Sequence, residues 1–274
     1  MTRKDLDIAI EWAAQEGWNP GLKDADCFYQ TDPNGFFIGE LDGEPISTIS
    51  AVKYGNEFGF IGFYIVKNEF RGHGYGHKIW QVASDYLKDI CSGLDGVVAQ
   101  QASYESHGYV KAFNQFRFEE QDVRGARESE ILDIKNIPFE KIFEYDNHIV
   151  KYNRKTFLNC WLNMEGTYAC GIMRKDKNDK VVGYGLIRHC RNGFKIGPLF
   201  ADDFVIAEKI YLALADYATG NTVYLDVPEA NKMGLELAKK YVRKYVFETA
   251  RMYKNGFLNQ ETGKIFGVTT FELG

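Results

Sequence analysis

The sequence predicts an α/β protein of the α+β kind, with two like-folded halves that each hold a mixed, mainly antiparallel central sheet flanked by helices. Two observations indicate this class. The first is a unit of strand, glycine-rich turn, helix and strand between residues 59 and 101, which makes the two strands parallel neighbours. The second is the recurrence of the same order of elements in the second half, a self-similarity over about 100 residues.

The first half begins with a helix predicted over residues 4–16, which EGWNPG ends because glycine and proline oppose continuation. We expect the following ADCFYQTDPNG to be a loop. FFIGEL, ISTISAVKY and FIGFYIV predict three antiparallel strands joined by short turns. From Gly76 onward, helical spacing is shown by Ile79, Val82, Ala83, Tyr86, Leu87 and Ile90. We expect CSGLDG to end that helix and VVAQQ (97–101) to be the next strand.

The second half follows the same order after a charged connection. IPFEKIFEYDNHIV predicts a helix, and GIMRKDKNDKVVGYGLIRHC and GFKIGPLFA predict three more strands. DDFVIAEKIYLALADYA, TVYLDV and EANKMGLELAKKYVRKY then predict helix, strand and helix. YESHGYVKAFNQFRF (104–118) also corresponds to YVRKYVFETARMY (241–253). We therefore predict domains at 1–125 and 126–274, and a chance likeness between two ordinary α/β stretches is the alternative.

The composition excludes several classes of function. A formal net charge of −5, without a long Lys/Arg run, gives no support to general nucleic-acid binding. No stretch approaches the roughly 18 to 20 apolar residues of a membrane span, and the N-terminus does not resemble a secretory signal. No CxxC pair occurs among Cys27, Cys91, Cys160, Cys170 and Cys190. We therefore expect reduced, mostly buried thiols in a cytoplasmic protein.

The stretch FRGHGYGHKIW (70–80) is the strongest candidate for a functional site, and Arg71, Gly74 and Gly76 are its key residues. It lies between an apolar strand and the start of a helix. Glycines lack a Cβ, so backbone N–H groups can turn toward a pyrophosphate, and the helix N-terminus adds a favourable partial charge. Arg71 could add a charge-assisted hydrogen bond, and Gly72 and His73 could supply further amides.

Other nucleotide and metal motifs fit these residues poorly. A Walker A loop requires GxxxxGK[ST], but His77 and Lys78 follow Gly76. A dinucleotide fingerprint requires GxGxxG, whereas these glycines are each two residues apart. His73 and His77 could share a metal at i, i+4, but no third ligand is indicated, so we expect no metal. A purely structural turn at the helix start stays open as an alternative.

At these residues the sequence resembles the GNAT N-acetyltransferase superfamily. The strand GFYIV, the motif RGHGYG, which fits the family's [QR]xxGx[GA] signature, the following helix and VVAQQ occur in the family's order. YESHGY (104–109) resembles the family's later tyrosine motif, with Tyr109 in place of Phe. EGWNPGLKDADCFYQTDPNGFF and IGPLF…LDVP…ARMYKNG resemble a subgroup with a degenerate second GNAT-like domain. The resemblance covers nearly the whole chain and implies tandem GNAT-like folds.

The resemblance implies acetyl-CoA as the co-substrate and a role for each matched residue. The pantetheine would lie along the strand backbone at residues 64–66, and the pyrophosphate would lie on the amides of residues 71–76. The implied cofactor-binding residues are Tyr64, Ile65, Val66, Arg71, Gly72, His73, Gly74, Tyr75 and Gly76. Tyr104 would be the general acid that protonates the leaving CoA thiolate. An ordinary packing aromatic is the alternative for Tyr104.

The sequence does not single out a general base. Glu57 lies just before the strand FIGFYIV, and Asp24 or Asp26 lies in the loop that often lines the acceptor side in GNAT proteins. Each is a candidate base, and a solvated surface acid is the alternative for each. Gln100 and Gln101 can orient an acceptor but cannot accept its proton.

The second half departs from the family's pattern at the phosphate loop. The matching PLFADDFVIA lacks the arginine–glycine signature and has Asp202 and Asp203 at the helix start, where carboxylates would repel a pyrophosphate. We therefore expect this half to bind no acyl-CoA and to close the acceptor side or support the first half. Asp226 is expected to face the other half if the two pack as tandem GNAT domains do. A turn residue before Pro228 is the alternative.

Together these inferences predict an enzyme, an acetyl-CoA-dependent N-acetyltransferase with a catalytic first half. The implied reaction is direct transfer, in a ternary complex, to a primary amine of a small molecule, and a net acidic chain favours a cationic acceptor. The alternatives are a non-catalytic acyl-CoA-binding or regulatory protein and a transferase of larger acyl or aminoacyl groups. The sequence gives no indication of the oligomeric state.

Overall fold

A computed structural model describes residues 1–174 and 179–274. In these ranges the helices are α1 (Leu6–Gln15), α2 (Asp24–Thr31), α3 (Tyr75–Tyr86), α4 (Gln101–Ser106), α5 (Phe139–Val150), α6 (Lys155–Leu162), α7 (Phe204–Tyr217) and α8 (Lys232–Tyr241). The strands are β1 (Phe36–Leu41), β2 (Glu44–Tyr54), β3 (Phe58–Val66), β4 (Ser92–Val97), β5 (Val110–Glu120), β6 (Leu132–Asp133), β7 (Thr167–Arg174), β8 (Lys180–His189), β9 (Phe194–Ala201), β10 (Val223–Pro228), β11 (Lys244–Lys254) and β12 (Ile265–Gly267).

The strands form one 12-stranded sheet in the order β1-β2-β3-β4-β11-β5-β10-β9-β8-β7-β6, with β12 paired to β9. β1, β2 and β3 are antiparallel neighbours. β3 and β4 run parallel over only three pairs, from Gly59 with Ser92 to Ile61 with Leu94. The predicted unit of strand, glycine turn, helix and parallel strand is therefore confirmed.

The second half repeats this arrangement. β7, β8 and β9 are antiparallel, α7 follows, and β10 returns parallel to β9 over three pairs, from Val223 with Phe194 to Leu225 with Ile196. The predicted repeat is confirmed, and the turn predicted in RKDKNDK falls largely outside the described residues. The mixed, mainly antiparallel sheet flanked by helices agrees with the predicted fold class.

The two halves exchange their last long strands. β11, from the second half, pairs with β4 of the first half, and β5, from the first half, pairs with β10 of the second. β5 and β11 also pair with each other at the centre of the sheet. The predicted boundary between residues 125 and 126 thus divides the sequence but not the sheet, and it stays a prediction.

The C-terminal segment, residues 265–274, closes a gap in the second half. Beyond the last β9–β10 pair, β12 pairs with β9 through Ile265 with Phe200. The N–H of Val268 then donates to the carbonyl of Asp226 at 2.8 Å. In the described part of the chain, no strand fills the corresponding gap between β3 and β4. The same splay of two parallel strands is therefore filled in one half and open in the other.

Two predictions about local structure near the N-terminus and the cysteines are wrong. The segment predicted as a loop contains α2, because Phe28 stacks on Trp161 of α6 with ring centroids 5.9 Å apart. Burial of this aromatic face stabilises a short helix whose polar composition concealed it. Cys27 and Cys160 join α2 to α6 as a disulfide, which corrects the expectation of reduced thiols at these two positions.

The predictions around α3 and β4 also need correction. α3 ends at Tyr86, so Leu87 lies beyond the helix, and Val82 is exposed rather than part of the buried face. CSGLDG is not a helix end, because β4 lies at Ser92–Val97 and VVAQQ turns into α4. The glycines that concealed this strand are required by packing: a Cβ on Gly96 would lie 2.8 Å from the ring of Tyr104.

Candidate functional site

A cavity of about 520 Å³ lies in the open gap between β3 and β4. It extends from the glycine loop, which we define as residues 71–76, to the contact between the two halves. Its lining combines one edge of β3, the end of β4, the glycine loop, α4 and residues of the second half. The lining residues used below are Glu16, Trp18, Tyr64, Ile65, Val66, Arg71, Gly72, Gly74, Gly76, Asp95, Tyr104, Phe247, Thr249, Phe271 and Glu272.

A bulge in β3 turns its backbone toward this cavity. Phe63 has φ +47°, and the pairing of β2 with β3 slips between Thr48 with Ile65 and Ser50 with Gly62. The hydroxyl of Thr48 donates to the carbonyl of Phe63 at 2.9 Å and holds the bulge in place. A left-handed phenylalanine costs about 1–2 kcal/mol, and such conformations cluster at functional sites.

The edge of β3 beyond Ile61 is free to pair with an extended ligand. The last pair with β4 is at Ile61, while β3 continues to Val66. The predicted pantetheine residues Tyr64, Ile65 and Val66 all line the cavity. Backbone N–H and C=O groups at an open strand edge form the kind of site on which an amide-containing chain adds as an extra strand.

The glycine loop curls around the other end of the cavity. Gly72 and Gly74 both have φ +81°, a conformation that residues with a Cβ rarely adopt. Gly74 immediately precedes α3, whose first turn holds no acidic residue, so the helix N-terminus offers free N–H groups to an anion. Gly76 is needed for packing, because a Cβ there would lie 2.6 Å from the hydroxyl of Tyr64.

Arg71 is fixed by protein partners on both sides. Its Nε donates to the carbonyl of Val66 at 2.8 Å, and its Nη2 pairs with Oε1 of Glu16 at 2.5 Å. The guanidinium thus ties the loop to the end of β3 and to the end of α1. Arg71, Gly72, Gly74 and Gly76 line the cavity, whereas His73 and Tyr75 are outside the lining.

Tyr104 lies on α4 with its ring stacked on Trp80 of α3, the centroids 5.4 Å apart. It is 8% exposed and lines the cavity. Burial, together with the neighbouring Tyr64 and Tyr109, raises the pKa of its phenol above the usual value. The phenol therefore stays protonated at neutral pH and can donate a proton or a hydrogen bond into the cavity.

The candidate bases drawn from the sequence lie elsewhere. Glu57 is exposed at the β2–β3 turn, where its carboxylate accepts the N–H of Asn153 at 3.0 Å. Asp24 is buried and pairs with Arg188 at 2.9 Å. Asp26 pairs with Arg3 near the surface. All three carboxylates lie outside the cavity lining, so we do not retain them as bases.

Besides Glu16, which pairs with Arg71, two further carboxylates line the cavity, and sequence reasoning missed all three. Asp95 is neutralised by Arg251, with two contacts of 2.8 Å, and accepts from Gln115 at 2.6 Å. Glu272 is 4% exposed, and its buried Oε2 has no hydrogen-bond partner among the described residues. No motif in the sequence marks Glu272, because only the course of the C-terminal segment brings it to β3.

Five residues form the inner end of the cavity, where the two halves meet. They are Trp18, Phe247, Thr249, Phe271 and Glu272. Four of them come from the second half, which therefore supplies most of this wall. The guanidinium of Arg117 lies behind the wall, 4.7 Å from the ring of Phe247 and 5.0 Å from that of Phe271.

An ion pair between the halves supports this wall. Arg117 on β5 makes two contacts of 2.6 Å with Asp226 on β10, and both side chains are almost fully buried. Burial would raise the pKa of Asp226, but the adjacent Arg117 outweighs it and the pKa is lowered. Asp226 therefore faces the other half, which the sequence offered only on condition of tandem packing, and it is not the turn residue that its place before Pro228 favoured.

The corresponding site of the second half is closed. The carboxylate of Asp203 accepts the N–H of Ile206 at 2.9 Å and so caps α7. Asp202 pairs with Lys264 at 2.8 Å and accepts from Tyr145 at 3.1 Å. β12 fills the strand gap, and the carboxylate of Asp203 occupies the N-terminus of α7. This half therefore presents neither an open strand gap nor a free helix N-terminus, the two features that make the first half an anion site.

Two negative findings apply to the described ranges. No group of three or more His, Cys, Asp or Glu side chains within them is placed to hold a metal ion. His77, one of the two histidines weighed as a metal pair, lies with its ring centroid 6.0 Å from that of His107. Likewise, none of the helices described between residues 1 and 174 or 179 and 274 is long and apolar enough to cross a membrane.

Comparison with known proteins gives matches to both halves. Residues 6–109 match the model of the "Acetyltransferase (GNAT) family", and residues 142–267 match that of the "Acetyltransferase (GNAT) domain". The holothin acyltransferase of Pseudoalteromonas sp. (strain SANK 73390) is 30% identical over 275 residues, which cover 99% of this chain and 92% of that protein.

Solved structures show the same fold. A putative acetyltransferase from Pyrococcus horikoshii superposes with a TM-score of 0.84 at 21% identity, over 100% of this chain and 94% of that one. A tandem GNAT protein from the clavulanic acid biosynthesis pathway gives a TM-score of 0.61 at 10% identity, over 92% and 96% of the two chains. At these identities the likeness concerns the fold alone.

Proposed function

Because the chain belongs to the GNAT family of acyltransferases, with two GNAT domains in tandem, we propose that it is an acetyl-CoA-dependent N-acetyltransferase. The acceptor is a primary amine of a small molecule, and transfer is direct within a ternary complex. GNAT proteins bind an acyl-CoA and an acceptor; acetyl as the acyl group and an amine as the acceptor are our proposal.

The observation that carries the proposal is one continuous cavity that extends from the glycine loop to the inner end. The glycine loop and the start of α3 suit a pyrophosphate. The free edge of β3 at residues 64–66 suits the amides of pantetheine. Such a ligand would direct its thioester past the bulge at Phe63 toward the inner end. The residues present therefore fit acyl-CoA in the first half.

Tyr104 supplies the proton that the leaving group needs. When the amine nitrogen attacks the thioester carbonyl, the carbon–sulfur bond breaks and a thiolate must be stabilised. The Tyr104 phenol, which stays protonated at neutral pH, donates its proton to that sulfur and then recovers one from the nitrogen of the new amide.

The second half has a different role in this proposal. In its described residues β12 fills the strand gap and Asp203 caps α7, and it supplies four residues of the inner end. The holothin acyltransferase supports a small-molecule acceptor, since its name records acyl transfer to such a compound and the alignment covers nearly all of this chain. We therefore propose one acyl-CoA site and one acceptor site per chain.

The test is turnover in a thiol-release assay with acetyl-CoA and a panel of primary amines. Tyr104→Phe should lower kcat about 100-fold, the lower range for loss of a general acid, and leave thermal stabilisation by CoA intact. Gly74→Val should abolish that stabilisation because φ +81° is strained for valine. Stabilisation by CoA with no turnover of any amine would refute the proposed N-acetyltransferase activity and favour a non-catalytic acyl-CoA-binding protein.

A further inference from the structure

The inner end of the cavity has an unusual balance of groups. Three aromatic side chains, one hydroxyl and one carboxylate face it, from Trp18, Phe247, Phe271, Thr249 and Glu272. Among the described residues that line the cavity, Arg71 is the only lysine or arginine, and Glu16 neutralises it at the glycine loop. The lining of the inner end therefore presents one carboxylate and flat apolar surface, and no lysine or arginine of the described ranges belongs to it.

Resting on the function proposed above, we propose that Glu272 binds and deprotonates the ammonium group of the acceptor, and that the acceptor carries this amine on a flat aromatic body without a carboxylate. The carboxylate attracts a cation. The rings offer stacking surface to a flat body and π-faces to an ammonium group. A carboxylate on the acceptor would be buried next to Glu272, and no lysine or arginine among the described residues lines the inner end to pair with it.

The C-terminal segment fixes Glu272 in position. The N–H groups of Glu272 and Leu273 donate to the hydroxyl of Thr270 at 2.9 and 3.0 Å. The carbonyl of Leu273 accepts from the hydroxyl of Tyr54 at 2.9 Å. A Cβ on Gly62 would lie 2.1 Å from the carbonyl oxygen of Glu272, so this segment rests on β3 one residue beyond its last pair with β4.

The charged groups behind Glu272 are held by other partners. Arg117 on β5 pairs with Asp226 on β10. Arg188 on β8 pairs with Asp24 on α2 through its Nε, while its two Nη atoms have no hydrogen-bond partner among the described residues. Lys195 on β9 donates to the backbone carbonyls of Trp18 and Asn19. These three cations interact favourably with Glu272 across the wall, but none of them is hydrogen-bonded to its Oε2. That buried oxygen therefore has no competing partner among the described residues.

The protons balance in the proposed reaction. Glu272 takes one proton from the ammonium group, and the free amine attacks the thioester carbonyl to form the carbon–nitrogen bond. As the carbon–sulfur bond breaks, the sulfur receives the proton of Tyr104. Tyr104 then regains a proton from the nitrogen, which leaves a neutral amide and free CoA thiol. Glu272 releases its proton to solvent, so each turnover yields one proton.

The acceptor class is tested with matched amines in the thiol-release assay. 2-Phenylethylamine should show a kcat/KM at least about 10-fold higher than phenylalanine, which differs by one carboxylate, and than n-butylamine, which lacks the ring. The factor follows from one buried unpaired charge or one lost aromatic contact. Equal or better turnover of phenylalanine or n-butylamine would overturn the acceptor class while leaving acyl transfer intact.

The role of Glu272 is tested with Glu272→Gln, which keeps the shape and removes the charge. It should lower kcat about 100-fold at pH 7, and the deficit should shrink toward pH 10, where more of the amine is already neutral. Stabilisation by CoA should be unchanged, and Glu120→Gln, outside the cavity on β5, is the matched control.

Three results would overturn the role of Glu272. One is full activity in Glu272→Gln, and the second is a deficit that does not change with pH. The third is a loss of kcat in Glu57→Gln as large as the loss in Glu272→Gln. If no amine is turned over although CoA stabilises the protein, the proposed function fails, and this inference fails with it.

Discussion

Removal of the carboxylate at Asp226 should destabilise the protein more than any change at its exposed ion pairs. The perturbation is Asp226→Asn, which takes the negative charge from a pair with two 2.6 Å contacts and side chains 2% and 1% exposed. Arg117 would keep its bond to the carbonyl of Trp18 at 2.9 Å and one neutral acceptor, the amide oxygen of the asparagine, but no negative charge to balance its own. An uncompensated buried charge of this kind costs about 3–5 kcal/mol.

The matched comparison is Glu120→Gln. It breaks a pair with Arg243 at 3.2 Å, in which the arginine side chain is 71% exposed, so the expected loss is below about 1 kcal/mol. Urea unfolding, followed by circular dichroism and tyrosine–tryptophan fluorescence, measures the free energy of unfolding of both variants. For a chain of this size the Asp226→Asn loss corresponds to a fall in Tm on the order of 10 °C.

Two outcomes decide whether the reasoning holds. If Asp226→Asn loses no more stability than Glu120→Gln, the pair does not hold the halves together as described. Replacing both partners, as Arg117→Leu with Asp226→Leu, should recover part of the loss, because two apolar groups leave no charge buried alone. A double variant less stable than Asp226→Asn would show that the arginine acts mainly through its contacts with other groups.

Three further outcomes are expected. Phe247→Leu should raise the KM for a ring-bearing amine about 10-fold through lost aromatic contact and leave the KM for acetyl-CoA unchanged. A change in the KM for acetyl-CoA alone would contradict the assignment of the inner end. Gly62→Ala should lower turnover and stability together, because its Cβ would lie 2.1 Å from the carbonyl oxygen of Glu272. Wild-type kinetics in this variant would contradict that expectation. Burial raises the pKa of Tyr109 to about 12, against about 10 unfolded, so the native state binds more protons above pH 10. The stabilisation that the buried, protonated Tyr109 contributes is complete below pH 10 and is lost as the pH rises through 12. The urea midpoint should fall over that range, and less steeply in Tyr109→Phe.

Local patterns in the sequence were sufficient to predict the part of the site around the glycine loop. The strand before Arg71, the two-residue spacing of the glycines and the helical spacing after Gly76 all lie within one short stretch, where neighbouring residues decide the structure. The glycine loop followed from these patterns, whereas the lining residues Tyr64 to Val66 came from the resemblance to the GNAT superfamily. Tyr104 is placed in the cavity lining, while its role as the acid remains a prediction.

The rest depends on contacts between residues far apart in the chain. α2 is stabilised by the ring of Trp161, and β4 by aromatic rings that require glycines, so local propensity misled in both places. Glu272 could not be predicted, because nothing in TTFELG indicates that it crosses to β3. The repeat predicted two similar halves, but β5 and β11 could pair within their own half or across, and the local pattern is the same in both cases.

The exchange of β5 and β11 restricts how the protein can move. The ladder between them, from Lys244 with Glu119 to Tyr253 with Val110, would have to break before the halves could separate about a hinge. We therefore expect the acceptor to enter without a hinge opening of the two halves, through adjustments of loops and side chains. X-ray scattering in solution should give the same radius of gyration with and without CoA, unlike an enzyme that closes two domains around its substrate.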